Sequence, residues 1–160
     1  MSNKRIRNAT PLEYDGIKFK SKLEVMAYKT LKENNINASY EPSTITIFTG
    51  FKPTVPFYTK SKEGILVLDN KKLINITYTP DFIFRFGESD ILVYLELKGA
   101  FNDTYPIKRK LFRAFLEEQN KACKGKLDSM YFEVYNKKQI LQMIQILKDY
   151  DCSRTNETNV

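Results

Sequence analysis

Two short apolar runs, Phe82 to Phe86 and Ile91 to Leu95, flank the cluster Gly87-Glu88-Ser89-Asp90, and this arrangement constrains the fold more than any other feature of the chain. The spacing predicts an antiparallel hairpin closed by a four-residue turn. Setting Phe86 opposite Ile91 fixes the register: Phe84 meets Val93, Phe82 meets Leu95, and Asp81 falls opposite Glu96. Side chains alternate with period two, so one face is apolar throughout. The other carries Ile83, Arg85, Leu92 and Tyr94, with Asp81, Glu96 and Lys98 together at one end. A slip by one residue would exchange the faces, so the pattern itself selects the pairing.

Carboxylates directly opposite on paired strands have Cβ atoms about 4.5 to 5.5 Å apart. At an effective dielectric near 20 they repel by roughly 3 kcal/mol. Lys98 offsets part of this, as an ordinary Glu-Lys pair on a sheet would; a divalent cation offsets more. Oxygen ligands of this kind are what Mg²⁺ takes, the remaining positions going to water and phosphate. The end of the hairpin therefore reads as a metal-dependent phosphoryl-transfer site.

Upstream, Leu23, Met26, Ala27 and Leu31 have the spacing of an amphipathic helix, starting at Ser21 and ending near Glu33 before Asn34-Asn35. Ser21 and Glu24 form a capping box. Glu24 then either bonds back to the Ser21 backbone or stands as a third acid over the metal. Downstream, Pro106 suits the first turn of a helix running to about Gln119, with Ile107, Leu111, Ala114 and Phe115 on one face. Lys108, Arg109, Lys110 and Arg113 lie off that face, as a solvated surface or as a contact for DNA.

The histidine count is zero, which removes Ser-His hydrolases and histidine-metal nucleases from consideration. Any chemistry runs on carboxylates, lysine and water. Twenty-six basic against nineteen acidic residues give +7, a balance that favours polyanionic partners. Cys123 and Cys152 lack CxxC spacing and indicate neither zinc nor redox work; with no secretory segment they fit a reducing cytosol. No apolar run approaches the ~20 residues that span a bilayer, so no membrane partner is expected.

The remaining pattern predicts a strand over Ala38 to Phe48, with Pro42 at an edge or bulge, and a loop over Lys52 to Gly64. Ile65 to Leu68 and Leu73 to Thr79 read as strands, forming a hairpin around Asp69-Asn70-Lys71-Lys72. Leu127 to Tyr135 reads as a last strand and Lys137 to Tyr150 as a last helix. The expected organisation is a basic N-terminal arm (1–17) with Lys4, Arg5 and Arg7, a single domain (18–150) and a polar C-terminal tail (151–160). At 160 residues one domain is long enough to bury a core.

Taken in order, Phe19-Lys20-Ser21-Lys22-Leu23-Glu24, Tyr40-Glu41, Tyr78-Thr79-Pro80-Asp81-Phe82 and Glu96-Leu97-Lys98-Gly99 resemble the PD-(D/E)xK nuclease superfamily. Within it they are most similar to the phage endonuclease I type, which resolves branched DNA. The resemblance spans about Lys18 to Gln119. It implies an α/β, restriction-endonuclease-like core, a mixed central sheet flanked by helices in αβββαβ order. It further implies a Mg²⁺-dependent endonuclease, Mn²⁺ substituting, with Asp81, Glu96 and the Leu97 carbonyl as metal ligands. Lys98 becomes the partner of the attacking water, and Glu24 an accessory ligand. DNA would meet Lys20, Lys22, Lys108, Arg109, Lys110 and Arg113. Holliday junctions are the implied substrate, a homodimer would suit cutting two strands, and the location would be the cytoplasm, that of the host if the chain is phage-encoded. Alternatives are a nuclease of linear, nicked or sequence-specific DNA, or a DNA-binding protein that keeps the scaffold without catalysis.

Overall fold

The structure, a computed structural model, describes residues 11–99, 104–124 and 128–158. Lys4, Arg5 and Arg7, together with Leu127, lie outside the described residues. The predicted hairpin forms as read: β8 (Phe82–Phe86) and β9 (Ile91–Leu97) pair antiparallel from Phe82↔Leu95 to Phe86↔Ile91. β9 is flanked on its other edge by β10 (Ser129–Val134), in parallel, and β8 by β3 (Ser39–Tyr40), antiparallel. The resulting order is β10-β9-β8-β3, a mixed four-stranded sheet. With α1 (Lys22–Glu33) before β3 and α2 (Tyr105–Ala122) between β9 and β10, its elements follow the expected αβββαβ order. α3 (Lys137–Thr158) closes the chain.

The apolar face of the hairpin, Phe82, Phe84, Ile91, Val93 and Leu95, is covered by Ala27 and Leu31 of α1 and by Ile140, Met143, Ile144 and Leu147 of α3. The opposite face holds a smaller aromatic core in which Phe112 of α2 packs among Tyr78, Tyr94, Tyr105 and Tyr131. Phe112 is fully buried and Ile107 63% exposed, so the buried stripe of α2 is Tyr105, Phe112, Phe115 and Leu116. Of the predicted Ile107-Leu111-Ala114-Phe115 face, Phe115 packs into this stripe while Ile107 and Ala114 are exposed: the large rings facing α2 select the large ring at Phe112.

Several boundaries differ from the sequence reading. Leu12–Tyr14 (β1) and Ile17–Phe19 (β2) pair around Asp15-Gly16, both with positive φ, so this part of the expected arm is an ordered two-residue hairpin. The strand predicted over Ala38 to Phe48 breaks at Glu41, whose φ is 41°, and at Pro42. Its second half, β4 (Ile45–Phe48), leaves the central sheet and pairs with β7 (Ile76–Tyr78). The predicted loop over Lys52 to Gly64 contains β5 (Tyr58–Lys60), which pairs with β6 (Leu66–Leu68). β6 and β7 therefore do not form the hairpin expected around Asp69, because Gly64, at φ 87°, places the turn earlier.

The expected tail is helical to Thr158. Asp151 accepts from the Glu88 and Ser89 N–H groups at 3.1 and 2.9 Å, and Arg154 holds Asp128 at 2.9 Å. These contacts hold a polar helix that no apolar stripe announces. Gly87 is required beneath Asp151: its φ is 70°, and a Cβ there would come within 2.2 Å of the carboxylate.

Candidate active site

Asp81, Glu96 and Lys98 meet at the end of the β8-β9 hairpin, as the register requires. The ladder ends at Phe82↔Leu95, and Asp81 turns its Oδ2 onto the Leu97 N–H at 2.7 Å. In a strand the N–H and C=O of one residue point to the same side, so the Leu97 carbonyl also faces Asp81. Glu96 is 5% exposed. Its Oε2 accepts from the Tyr78 hydroxyl at 2.5 Å and its Oε1 from the Lys98 ammonium. Lys98 Nζ also sits 3.6 Å from the centre of the Tyr105 ring, whose π face favours a cation.

Burial pushes the Asp81 carboxyl up to about 7, with the charge of Glu96 next and that of Glu24 adding; the Leu97 N–H and Lys98 pull the other way. Glu24 therefore belongs to the same electrostatic site. Its contacts differ from the plain capping box. Ser21 Oγ accepts from Glu24 N at 3.2 Å as expected, but the carboxylate reaches one residue further back, to Lys20 N at 2.7 Å, and takes the Tyr40 hydroxyl at 2.6 Å. Burial, then this bond to Glu24, raises the Tyr40 phenol. Tyr40 is half-buried against Phe19 and Phe82, and Glu41 is half-buried, holding Lys20.

Sequence reasoning missed Glu133, Tyr105 and Tyr131, and used Tyr78 only as part of a motif. Because β10 runs parallel to β9, Glu133 lies in register with Glu96 on the same face. A chain of hydroxyls joins the two: Glu96 to Tyr78 at 2.5 Å, Tyr78 to Tyr131 at 3.0 Å, Tyr131 to Tyr105 at 3.0 Å, and Tyr105 to Glu133 at 2.5 Å. Three phenols supply three protons for these four contacts. With both carboxylates ionised, one tyrosine-tyrosine contact lacks a proton; a single added proton completes the chain. Burial favours the neutral form of Glu133, but bonds from Tyr105, Tyr135 and Arg109 outweigh it and hold the carboxyl below its ordinary range. Burial, followed by the charge of Glu96, raises the Tyr78 phenol. The signal available in the sequence was the alternation Tyr131-Phe132-Glu133; what it lacked was the strand partner.

The basic residues are distributed unevenly. Arg109 is committed to Glu133 at 3.2 Å and Lys20 to Glu41. Lys22, Lys110 and Arg113 are exposed, and Lys108 half-buried. Tyr105, in the first turn of α2, lies under Lys98, so this helix does begin at the site.

Among the described residues, no group of three or more acidic, cysteine or histidine side chains is arranged to hold a metal ion. The chemistry of the smaller donor set does suit a hard cation: Asp81, Glu96 and the Leu97 carbonyl offer oxygen only. No helix among the described residues is long and apolar enough to cross a membrane. A family model described as protein of unknown function (DUF1064) matches residues 4–129. No curated protein and no solved structure matches the chain.

Proposed function

Since the chain belongs to the DUF1064 family, whose description names no activity, we propose its function from the site: hydrolysis of DNA phosphodiester bonds by a Mg²⁺-dependent endonuclease. The observation that carries this is the convergence of Asp81, Glu96 and Lys98 at one sheet end, with Glu24 close enough to perturb Asp81. The sequence resemblance to PD-(D/E)xK nucleases of the endonuclease I type supports the same reading and points to branched DNA, Holliday junctions included.

Asp81 and Glu96, with the Leu97 carbonyl, would hold the cation. When bound it supplies Lewis acidity toward a phosphoryl oxygen and acidifies water. Tyr78 fixes the rotamer of Glu96, and the Leu97 N–H that of Asp81. The Tyr105 ring keeps the Lys98 ammonium at the mouth of the site, from which it would turn to the phosphate and stabilise the negative charge that gathers there. That movement releases Glu96 Oε1. Lys22, Lys110 and Arg113 would neutralise DNA phosphates, so binding would weaken with salt. Exposed free Cys123 and Cys152 suit a reducing cytoplasm, and cutting two strands of a junction suits a symmetric pair of chains.

Incubation with supercoiled plasmid and a four-way junction in Mg²⁺ tests the reading. The wild type is expected to cut, and Asp81→Ala and Lys98→Ala to fail; equal cutting by all three excludes the site. Flap and linear duplex assayed alongside identify the substrate. The engagement of both Glu96 oxygens favours a second reading, a DNA-binding protein on a nuclease scaffold. Absence of Mn²⁺ binding in calorimetry, with DNA affinity intact, would select it.

A further inference from the structure

Between Gly50 and Asn75 the chain makes an excursion that the site does not use. Its base is pinned: Gly50 N–H donates to Asn75 Oδ1 at 2.8 Å and Leu73 N–H to Phe51 O at 2.9 Å. Beyond this base β5 and β6 pair with each other as a separate two-stranded sheet. Ten large apolar side chains from Phe51 to Ile74 are 39 to 83% exposed. A large aromatic side chain presents up to about 150–250 Å² and an aliphatic one somewhat less, so the ten offer on the order of 1,000 Å². Side chains alternate along a strand, so this area is shared between the two faces of the ribbon; both faces together match the ~800 Å² that each partner in a standard interface buries. An isolated two-stranded ribbon is marginal in water. The arm thus has the surface of an interface and gains stability from being covered.

Its outer edge, which pairs with no other strand among the described residues, indicates the partner. Ser61 N–H donates to Ile65 O and Asp69 N–H to Phe57 O, each at 2.8 Å. Backbone groups of residues 65, 67 and 69 therefore face β5, and those of Leu66 and Leu68 face outward. The edge Ile65-Leu66-Val67-Leu68 carries no charge, whereas soluble proteins guard open edges with lysine, proline or a bulge. All five lysines of the arm, Lys52, Lys60, Lys62, Lys71 and Lys72, lie outside β6, so the cations that a nucleic acid would need are off this strand.

We propose that β6 pairs antiparallel with β6 of a second copy of this chain, with the two-fold axis at Val67. Leu66 of each copy then exchanges both backbone hydrogen bonds with Leu68 of the other. The product is a four-stranded sheet, β5-β6-β6-β5, with an isologous interface. The inference stands on the arm alone, so its test is read whether or not the chain cuts DNA.

Light scattering on the full chain measures the assembly directly. The wild type is expected to contain two chains and Leu68→Pro one, with unchanged circular dichroism. This substitution removes an outward-facing N–H and leaves the β5-β6 ladder its bonds. In a Cys123→Ser, Cys152→Ser background, Val67→Cys is expected to form a disulfide-linked dimer on oxidation. Residues in the non-hydrogen-bonded pair on the axis have Cα atoms about 4.5 Å apart, within disulfide range. A monomeric wild type overturns the proposal, as does a dimer that Leu68→Pro leaves intact or a Val67→Cys chain that fails to cross-link. A monomer that loses DNA affinity on Leu68→Pro assigns the arm to nucleic acid instead.

Discussion

Replacing Asp81 with asparagine should make the protein more stable, and only above mildly acidic pH. The Asp81 carboxyl is raised from an ordinary 3.8 to about 7, first by burial and then by the charge of Glu96. Below the ordinary value both folded and unfolded chains hold the proton, and the group contributes nothing. Between the two values the folded chain keeps the proton and the unfolded chain releases it, so stability falls as pH rises. Above about 7 both are ionised and the full cost is present. Each tenfold change in proton affinity is worth about 1.36 kcal/mol, so a rise of about three such factors costs about 4 kcal/mol. Against total stabilities of about 5–15 kcal/mol this is a large share. Asparagine keeps an oxygen for the Leu97 N–H and carries no charge. Urea unfolding of both proteins at pH 4 and pH 8 is the assay: the advantage of Asp81→Asn should be near zero at the lower pH and up to about 4 kcal/mol at the higher. Taking the difference between the two proteins cancels the titrating groups that do not feel the charge of Asp81 and leaves the coupled set of Asp81, Glu96 and Glu24. If a divalent cation binds this pair, Mg²⁺ at pH 8 should stabilise the wild type and leave the variant unmoved. An advantage that does not change with pH, or a variant less stable at pH 8, would refute the reasoning.

Other expectations follow from particular contacts. Tyr131→Phe removes the middle hydroxyl of the chain between Glu96 and Glu133 and should cost about 0.5–1.5 kcal/mol in urea unfolding, the net value of the one bond it donates; no change would mean that this hydroxyl contributes nothing to the link. Gly87→Ala forces a Cβ toward Asp151 at positive φ and should cost roughly 1–3 kcal/mol, with part of the loss recovered in an Asp151→Ala background. Lys98→Met strands Glu96 as a buried charge and should both abolish cleavage and destabilise by about 3–5 kcal/mol. Tyr105→Phe keeps the ring under Lys98 and Tyr105→Leu removes it, so cleavage should fall further in the leucine variant; equal losses would locate the effect in the bond to Glu133.

The hairpin register, the first helix with its Ser21 cap, and the meeting of Asp81, Glu96 and Lys98 are all determined by the sequence itself. Each depends on residues within about one supersecondary unit, where alternation, turn chemistry and capping act over a few positions. What tertiary structure decided lies farther apart along the chain. β4 takes β7 as partner and β5 takes β6 because the chain turns at Glu41-Pro42 and at Gly64, and local alternation cannot name a distant strand. Glu133 joins Glu96 only through the parallel pairing made after α2, and the end of α3 stays helical through Asp151 and Arg154 rather than through an apolar stripe. Strand partners, helix faces and carboxylate neighbours are settled by which surfaces bury one another, and burial is a property of the folded chain rather than of any segment within it.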